Sequence, residues 1–466
     1  MDAFSKTMIA GAVGVIAVML FMICVYRLPG IISSITLALY IFVVFLLYNA
    51  MGAVFTLSGI AALVLGVGMV VDSNILTFER IKDAMHSGRS VKSAFYEGSK
   101  ESFRTILDAQ LTTLISALIL YVLGTGSVKG FATMLIVSTL TTLVLIVSVV
   151  RFLLGLLVKS GYLDGHYSWF GVRPGDVPDV SKKEERRKFS VFKDFDFVGK
   201  AKYFIFTSLT ILVVSAACMV FHGASGDGIL NFGIDFSSGT TLTVQSDETI
   251  DQDELKKQIS DLGIDVDSIR LGGSENTTAT VYIKEAIDSS QMTEVKSALK
   301  ETYGHEVNDN VVTPVIGREL VRNAVIISVL AWIGIMIYVS IRFKWDYAVS
   351  GIVALVHDVL IILAFCATFR LEINTEIVAV MLTIIGYSIN NSIVVFDRIR
   401  ENVRAARHRL SKEEYRKLVN DAIAATCTRS VFSTLTTMLP VIALLLLGSE
   451  SIFVFNLTLL IGLIAG

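Results

Sequence analysis

The sequence predicts a polytopic α-helical membrane protein, with two parallel pseudo-repeats of transmembrane helices and one small external ferredoxin-like α+β domain. Three observations carry that expectation. The 466 residues are 53% hydrophobic and only 18% charged, with a mean hydropathy of +0.67, which excludes an ordinary soluble domain. About eleven apolar runs reach the roughly 20 residues that a helix needs to cross a bilayer. Two of the runs, VGMVVDSNILTFERIKD (67–83) and IIGYSINNSIVVFDRIREN (384–402), share one cadence of polar interruptions and a charged end.

The runs fall near 7–26, 31–51, 54–78, 105–124, 131–158, 201–222, 320–341, 347–369, 376–396, 430–447 and 451–466. The last is still apolar at Gly466, so the expectation is a chain that stops inside a span. Lys and Arg set the orientation. They crowd the loop after the third run (Arg80, Lys82, Arg89, Lys92, Lys100, Arg104) and the linker before the sixth (Lys182, Lys183, Arg186, Arg187, Lys188). They recur after the seventh (Arg342, Lys344) and the ninth (Arg398, Arg400, Arg404, Arg407, Arg409). The alternate loops hold few cations, Lys129 and Arg370 being the exceptions. The cationic loops are therefore expected in the cytoplasm and Met1 outside. Met1 to Lys6 opens no cleavable signal, so an outside start leads to the expectation of an earlier span upstream. Cys24, Cys218, Cys366 and Cys427 are scattered, without CxxC or metal spacing, and no cofactor is expected.

The expected organisation is a first transmembrane half (1–160), a cytoplasmic linker (161–200), a span (201–222), an external domain (223–318) and a second half (319–466). The external segment alternates strands and amphipathic helices. These are GTTLTVQS (239–246), DQDELKKQISDLG (251–263), DSIRLGG (267–273), TATVYIKE (278–285), SQMTEVKSALKETYG (290–304) and a last strand through VVTPVIG (311–317). It has a lone His305, with no His/Cys cluster and no nucleophile beside a base, so binding is expected of it and not catalysis.

Aligning the two polar runs at FxRI places Phe78, Arg80 and Ile81 on Phe396, Arg398 and Ile399, and Gly68 on Gly386. Asp72 then falls on Asn390 and Ser73 on Asn391. LTT recurs at 111–113 and 435–437, each time after an arginine (Arg104, Arg429), and YRLPGIISS (26–34) echoes IRFKWDYAVSG (341–351). Repeats in the same order and orientation are related by an axis along the membrane normal, an architecture of transporters whose sites lie near the midplane at the repeat interface.

Asp72 is the leading candidate for an ion or proton pathway. A charge at a helix centre costs about 2.5–3.5 kcal/mol on insertion scales, so it faces the bundle interior. The alternative is a side chain hydrated from the cytoplasm. About six residues, or roughly 9 Å of helix, separate it from Glu79, too far for a short side chain to snorkel. Arg429 is expected either at an ordinary helix end or reaching a polar group on the ninth run, and Asp108 carries the same ambiguity. His357 and Asp358 lie mid-span and are expected to touch separate neighbouring helices, because adjacent helical side chains diverge. Asn390 and Asn391 supply neutral amides. Thr112, Thr113, Thr436, Thr437, Ser388 and Ser392 are expected to hydrogen-bond between helices.

VVDSNILTFERI and ILDAQLTTLISALILYVLGTGSVKGFA (106–132) resemble SecD. NFGIDFSSGTTL (231–242), RFKWDYAVSGIVALVHDVLI (342–361) and GYSINNSIVVFDRIREN resemble SecF. Across essentially its whole length the chain resembles the fused SecD–SecF family of protein-export subunits, of the resistance-nodulation-division type. The resemblance implies an accessory of the Sec translocase in the bacterial cytoplasmic (inner) membrane, using a proton or sodium gradient to promote protein export. It implies partnership with the SecYEG translocon, YajC and the YidC insertase, an unfolded preprotein as client, surrounding membrane lipid, and no nucleic acid. Asp72 matches the SecD intramembrane aspartate, and Arg429 the arginine opening the corresponding SecF span. Asn391 stands where SecF usually has an aspartate, so this member of the pathway is an amide that cannot exchange a proton near neutral pH. The family's SecD half also begins with a cytoplasmic N-terminus, one more span and a large external domain, which this sequence does not carry.

Three rivals are weighed against that reading. A small-molecule or lipid exporter of the same fold usually carries two large external domains. A passive translocon scaffold needs no intramembrane charge. An intramembrane enzyme needs a Ser/His, paired-Asp or HExxH arrangement, and none is seen, so the chain is not expected to be an enzyme.

Overall fold

The computed structural model describes residues 3–178, 192, 194–225, 228–237, 239–272, 276–285, 287–406 and 410–466. Of the cations in the linker and after the ninth run, Lys182, Lys183, Arg186, Arg187, Lys188, Arg407 and Arg409 lie outside the described residues. The membrane elements open with α1 (Ala3–Tyr26), α2 (Leu28–Ala50), α3 (Leu57–His86), α4 (Val91–Leu123) and α5 (Gly126–Leu145). A π-turn at Ile146–Val150 joins α5 to α6 (Arg151–Lys159), and α7 (Phe197–Ser225) follows. The short α8 (Ile234–Ser237), α9 (Gln252–Asp261) and α10 (Ser289–Tyr303) belong to the small domain. The second half contains α11 (Pro314–Arg342), α12 (Trp345–Thr368), α13 (Thr375–Ala405), α14 (Lys412–Leu447) and α15 (Phe453–Ala465). The chain divides into two compact units, Met1–Ala216 with Leu330–Ala364 and Ala379–Gly466, and Ala217–Val329 with Phe365–Val378.

Among the described residues ten helices are long and apolar enough to cross a membrane, not eleven. The difference is the last run, where a 3-10 turn at Glu450–Ile452 precedes α15, a helix of only 13 residues. Several helices outrun their apolar limits. α3, α4, α13 and α14 stay helical through the charged stretches, and in α4 and α14 a side-chain cap starts the helix outside the apolar part. Ser90 Oγ accepts the Ser93 N–H at 3.3 Å to start α4. Ser411 and Glu414 form a reciprocal capping box for α14, with bonds of 3.2 and 2.8 Å.

In the larger unit α3 is the central element, and its spanning stretch is wholly buried. Its neighbours approach closely through small residues. A Cβ at Gly68 would lie 2.8 Å from the Thr437 methyl on α14, and one at Gly98 on α4 would lie 2.7 Å from the Ile81 backbone nitrogen.

The smaller unit holds an antiparallel sheet of β1 (Gly239–Gln245), β2 (Ser268–Gly272), β3 (Thr278–Ile283) and β4 (Asn308–Val312), in the order β2-β3-β1-β4. With α9 and α10 this is the ferredoxin-like arrangement. Leu242 pairs with Val281 at the sheet centre, and both are buried with Leu255 and Ile259 of α9 and Val295 and Leu299 of α10. Asp251 caps α9 by accepting the Asp253 and Glu254 N–H groups, and Asp288 caps α10 through Ser290 and Gln291. The last strand departs from the expected 311–317: it ends at Val312 and α11 begins at Pro314. Proline has no N–H for a sheet ladder and suits the first turn of a helix. The segment Asn231–Asp235 clasps the 370–375 loop, with Gly233 N–H donating to Ile373 O at 2.9 Å and Ile373 N–H to Asn231 O at 2.8 Å. Asp235 accepts the Thr375 hydroxyl at 2.8 Å and its N–H at 3.2 Å, capping α13.

Leu242→Ala should destabilise this unit by about 2–5 kcal/mol, read as faster amide exchange throughout β1 and β3. The Ser290 hydroxyl and the Gln291 N–H hold Asp288 below the usual carboxylate range. A depressed value means the cap contributes above that range and is lost as pH falls through the lowered value. Exchange in the first turn of α10 should therefore accelerate on acidification, and Asp288→Asn should remove that pH dependence.

Candidate functional site

Asp72, on the buried face of α3, is only 3% exposed. Arg429 of α14, 4% exposed, places Nη2 2.8 Å from Asp72 Oδ1. Ser433, one turn further along α14, donates to the same oxygen at 2.6 Å. From α13, Asn390 Nδ2 donates to Oδ2 at 2.7 Å. Two helices of the second repeat thus supply three donors to one carboxylate of the first. Tyr387 OH extends the network to Ser433 at 3.3 Å and Thr437 at 3.2 Å. Arg429, expected either at an ordinary helix end or reaching a polar group on the ninth run, instead reaches α3, because Gly68 lets α14 lie directly against that helix.

The pairing is close but incomplete. Arg429 Nε and Nη1 and Asn390 Oδ1 are buried without a hydrogen-bond partner among the described residues. Beside Arg429 lies a cavity of about 30 Å³, lined also by Glu79, Arg80, Asp83, Arg398 and Thr426 at the charged end of α3 and α13. That is room for one or two waters facing polar groups.

The other sequence-derived candidates do not join Asp72. Asn391 is half-buried and is not among its hydrogen-bond partners. Asp108, buried on α4, accepts from Tyr338 OH at 2.8 Å and Arg342 Nε at 2.7 Å, both on α11. His357 and Asp358 were expected to make separate contacts only. They do reach separate helices, His357 Nε2 meeting Ser208 Oγ of α7 at 2.6 Å and Asp358 Oδ2 accepting from Ser388 of α13 at 2.5 Å. They also bond each other, Nδ1 to Oδ1 at 2.9 Å, because the imidazole is long enough to fold back over the next side chain. Of the hydroxyls expected between helices, Ser388 reaches Asp358 of α12 and Thr437 meets Tyr387 OH of α13, whereas Thr112, Thr113 and Thr436 donate to carbonyls of their own helices, as Thr437 also does.

One set of residues escaped the sequence reading. At the charged ends of α3 and α13, Arg80 pairs with Glu401 at 3.2 Å and Arg398 with Asp83 at 3.6 Å. Arg80 corresponds to Arg398 in the repeat and Asp83 to Glu401, so the two ion pairs are reciprocal. The signal was present as an acid three residues after the arginine in both FERIKD and FDRIRE.

Over residues 2–153 and 294–466 the chain matches the family model for protein export membrane protein SecD/SecF, C-terminal, and residues 230–250 match the SecD/SecF GG motif. The protein translocase subunit SecDF of Bacillus subtilis (strain 168) is 42% identical over 467 residues, covering 100% of this chain and 62% of the relative. That of Thermus thermophilus is 33% identical over 402 residues, covering 85% of this chain and 50% of the relative. The crystal structure of SecDF, a translocon-associated membrane protein from Thermus thermophilus, gives a TM-score of 0.85 at 31% identity, covering 100% of this chain and 60% of that one. A crystal structure of SecDF in a super-membrane-facing form gives 0.74 at 30% identity, with the same coverage. The chain spans 62% or less of the length of each of these relatives. With family models matched in both transmembrane halves and in the small domain, the chain belongs to the SecD/SecF family of protein-export membrane proteins.

Proposed function

We propose that this chain is the ion-driven membrane portion of a bacterial Sec-translocase accessory, which uses proton entry at Asp72 to promote protein export. The observation that carries the reading is the buried Asp72–Arg429 pair, contributed from opposite repeats. The guanidinium beside the carboxylate favours a proton over sodium. Arg429, Ser433 and Asn390 all present hydrogens to the carboxylate, and the positive charge of Arg429 at 2.8 Å repels a metal cation.

Protonation removes the negative charge and leaves Arg429 buried without its counterion. Breaking a buried pair in this way costs about 3–5 kcal/mol. One charge crossing the membrane yields about 2.3 kcal/mol per 100 mV, so one or two protons match the cost of exchanging two states. The guanidinium then turns toward the cavity, where Glu79 and Asp83 offer alternative carboxylates and water relays the proton to Asp72. The resulting shift of α14 along α3 is the rocking step. The positive-inside rule supports placing this charged end in the cytoplasm and the ferredoxin-like domain outside. There the domain binds and releases an unfolded preprotein emerging from SecYEG, with YajC and YidC as further partners. The role is mechanical and not enzymatic.

Asp72→Asn is expected to reduce gradient-dependent secretion of a reporter to background in cells lacking their own SecD and SecF; unchanged secretion that still collapses with the gradient would refute the reading. Arg429→Met should lower thermal stability by stranding the Asp72 charge, and the Asp72→Asn/Arg429→Met double variant should recover stability without recovering export. Asn391→Asp should leave gradient-dependent export unchanged, because Asn391 is not a partner of Asp72.

A further inference from the structure

α13 is bonded to a second buried carboxylate besides Asp72. Ser388 and Asn390 are two residues apart, so they point about 200° from one another around the helix. Asn390 donates to Asp72 of α3, while Ser388 donates to Asp358 of α12. Asp358 is 3% exposed, and the adjacent His357 is its titratable neighbour. α7 presents Ser208 through the imidazole and α15 carries no ionisable side chain, but Gly466, which follows α15, packs against the pair: a Cβ there would lie 2.9 Å from Ser388 Oγ and 3.2 Å from Asp358 Oδ2, so a terminal carboxylate at Gly466 faces Asp358 as well. α13 presents Ser388, which is neutral. On α12 itself the next charged residue is Asp346, about 18 Å away along the helix.

We propose that His357 and Asp358 form a second proton-binding site, which titrates independently of Asp72. The hydrogen bonds run Ser208–His357–Asp358–Ser388 across α7, α12 and α13, and the His357 side chain is the open end, 38% exposed. A proton arriving at Nε2 releases the Nδ1 proton to Asp358 Oδ1. The imidazole ends neutral in its other tautomer, with Nε2–H donating to Ser208 Oγ, and the carboxylate becomes a carboxylic acid. The Ser388 bond then loses its ionic acceptor, and charge-assisted bonds are roughly twice as strong as neutral ones. Protonation therefore loosens α13 from α12 on the side opposite Asp72. The inference rests on the proposed ion-driven cycle for the use of this proton, and on the geometry alone for its binding.

The test is infrared difference spectroscopy of the purified full chain in lipid vesicles, titrated through acid and neutral pH. A carboxylic-acid band that grows on acidification should be missing in Asp358→Asn and retained in Asp72→Asn. His357→Leu removes the proton donor that favours the charged form, and should move the midpoint of the band upward by about 1–3 pH units. Ser388→Ala should move it the same way by less, and serves where His357→Leu does not fold. A band indifferent to Asp358→Asn, or a midpoint unmoved by both His357→Leu and Ser388→Ala, overturns the proposal. Normal export by Asp72→Asn would defeat the Asp72 cycle while this titration stood. Loss of export in that variant without an Asp358 band would defeat the second site alone.

Discussion

One carboxylate and one guanidinium, both almost wholly buried, set the terms for the larger unit. Asp72 and Arg429 are each tolerable inside the bundle only in contact, because a single buried charge has no favourable alternative. Contact requires α14 to lie directly against α3. The close approach at Gly68 and Thr437 permits it, and the one-turn spacing of Arg429 and Ser433 aims two donors at the same oxygen. α3 is buried along its spanning length because helices of both repeats converge on this residue. The burial makes loss of either partner costly, since the other would be left as an unpaired charge.

The charged ends of α3 and α13 repeat that logic in milder surroundings. Arg80 with Glu401 and Arg398 with Asp83 exchange partners across the repeat, as an isologous contact between two copies would. A duplicated sequence meeting itself produces such reciprocity without any further device. At the midplane the symmetry is broken. Asp72 falls opposite Asn390, so one half brings the charge and the other an amide that solvates it. Two carboxylates there would repel. An acid facing an amide leaves room for the arginine, which makes the interface directional.

The element types, the polytopic class and the repeat were legible because they rest on periodicity and composition, which packing seldom overrides. Asp72 was legible because a charge in an apolar run has few explanations. The partner of Arg429 was not, since a long side chain at a helix start reaches several neighbours and only the close approach of α14 to α3 selects one. The His357–Asp358 bond was misread because helical geometry separates adjacent Cβ atoms, whereas an imidazole carries its nitrogens far enough to return. Thr112, Thr113 and Thr436 were misread for a related reason. A hydroxyl in an apolar medium always has its own helix's carbonyl one turn back, and that bond needs no neighbour. The last strand failed at Pro314, a residue whose preference for a helical first turn outweighed the β-branched run before it.

α13 holds the remaining asymmetry. Its polar residues look like a disordered cluster when read along the chain, yet around the helix they sort by direction. Asn390 is turned to the Asp72 carboxylate and Ser388 to that of Asp358, and Tyr387 reaches the hydroxyls of α14. A helix tied to two carboxylates on different sides is attached to each through a neutral donor. Neutral groups on such a helix are therefore an advantage. They bond to charged and uncharged carboxyls alike, so α13 stays inside the bundle throughout, while the strength of its attachment on each side follows the charge of its neighbour.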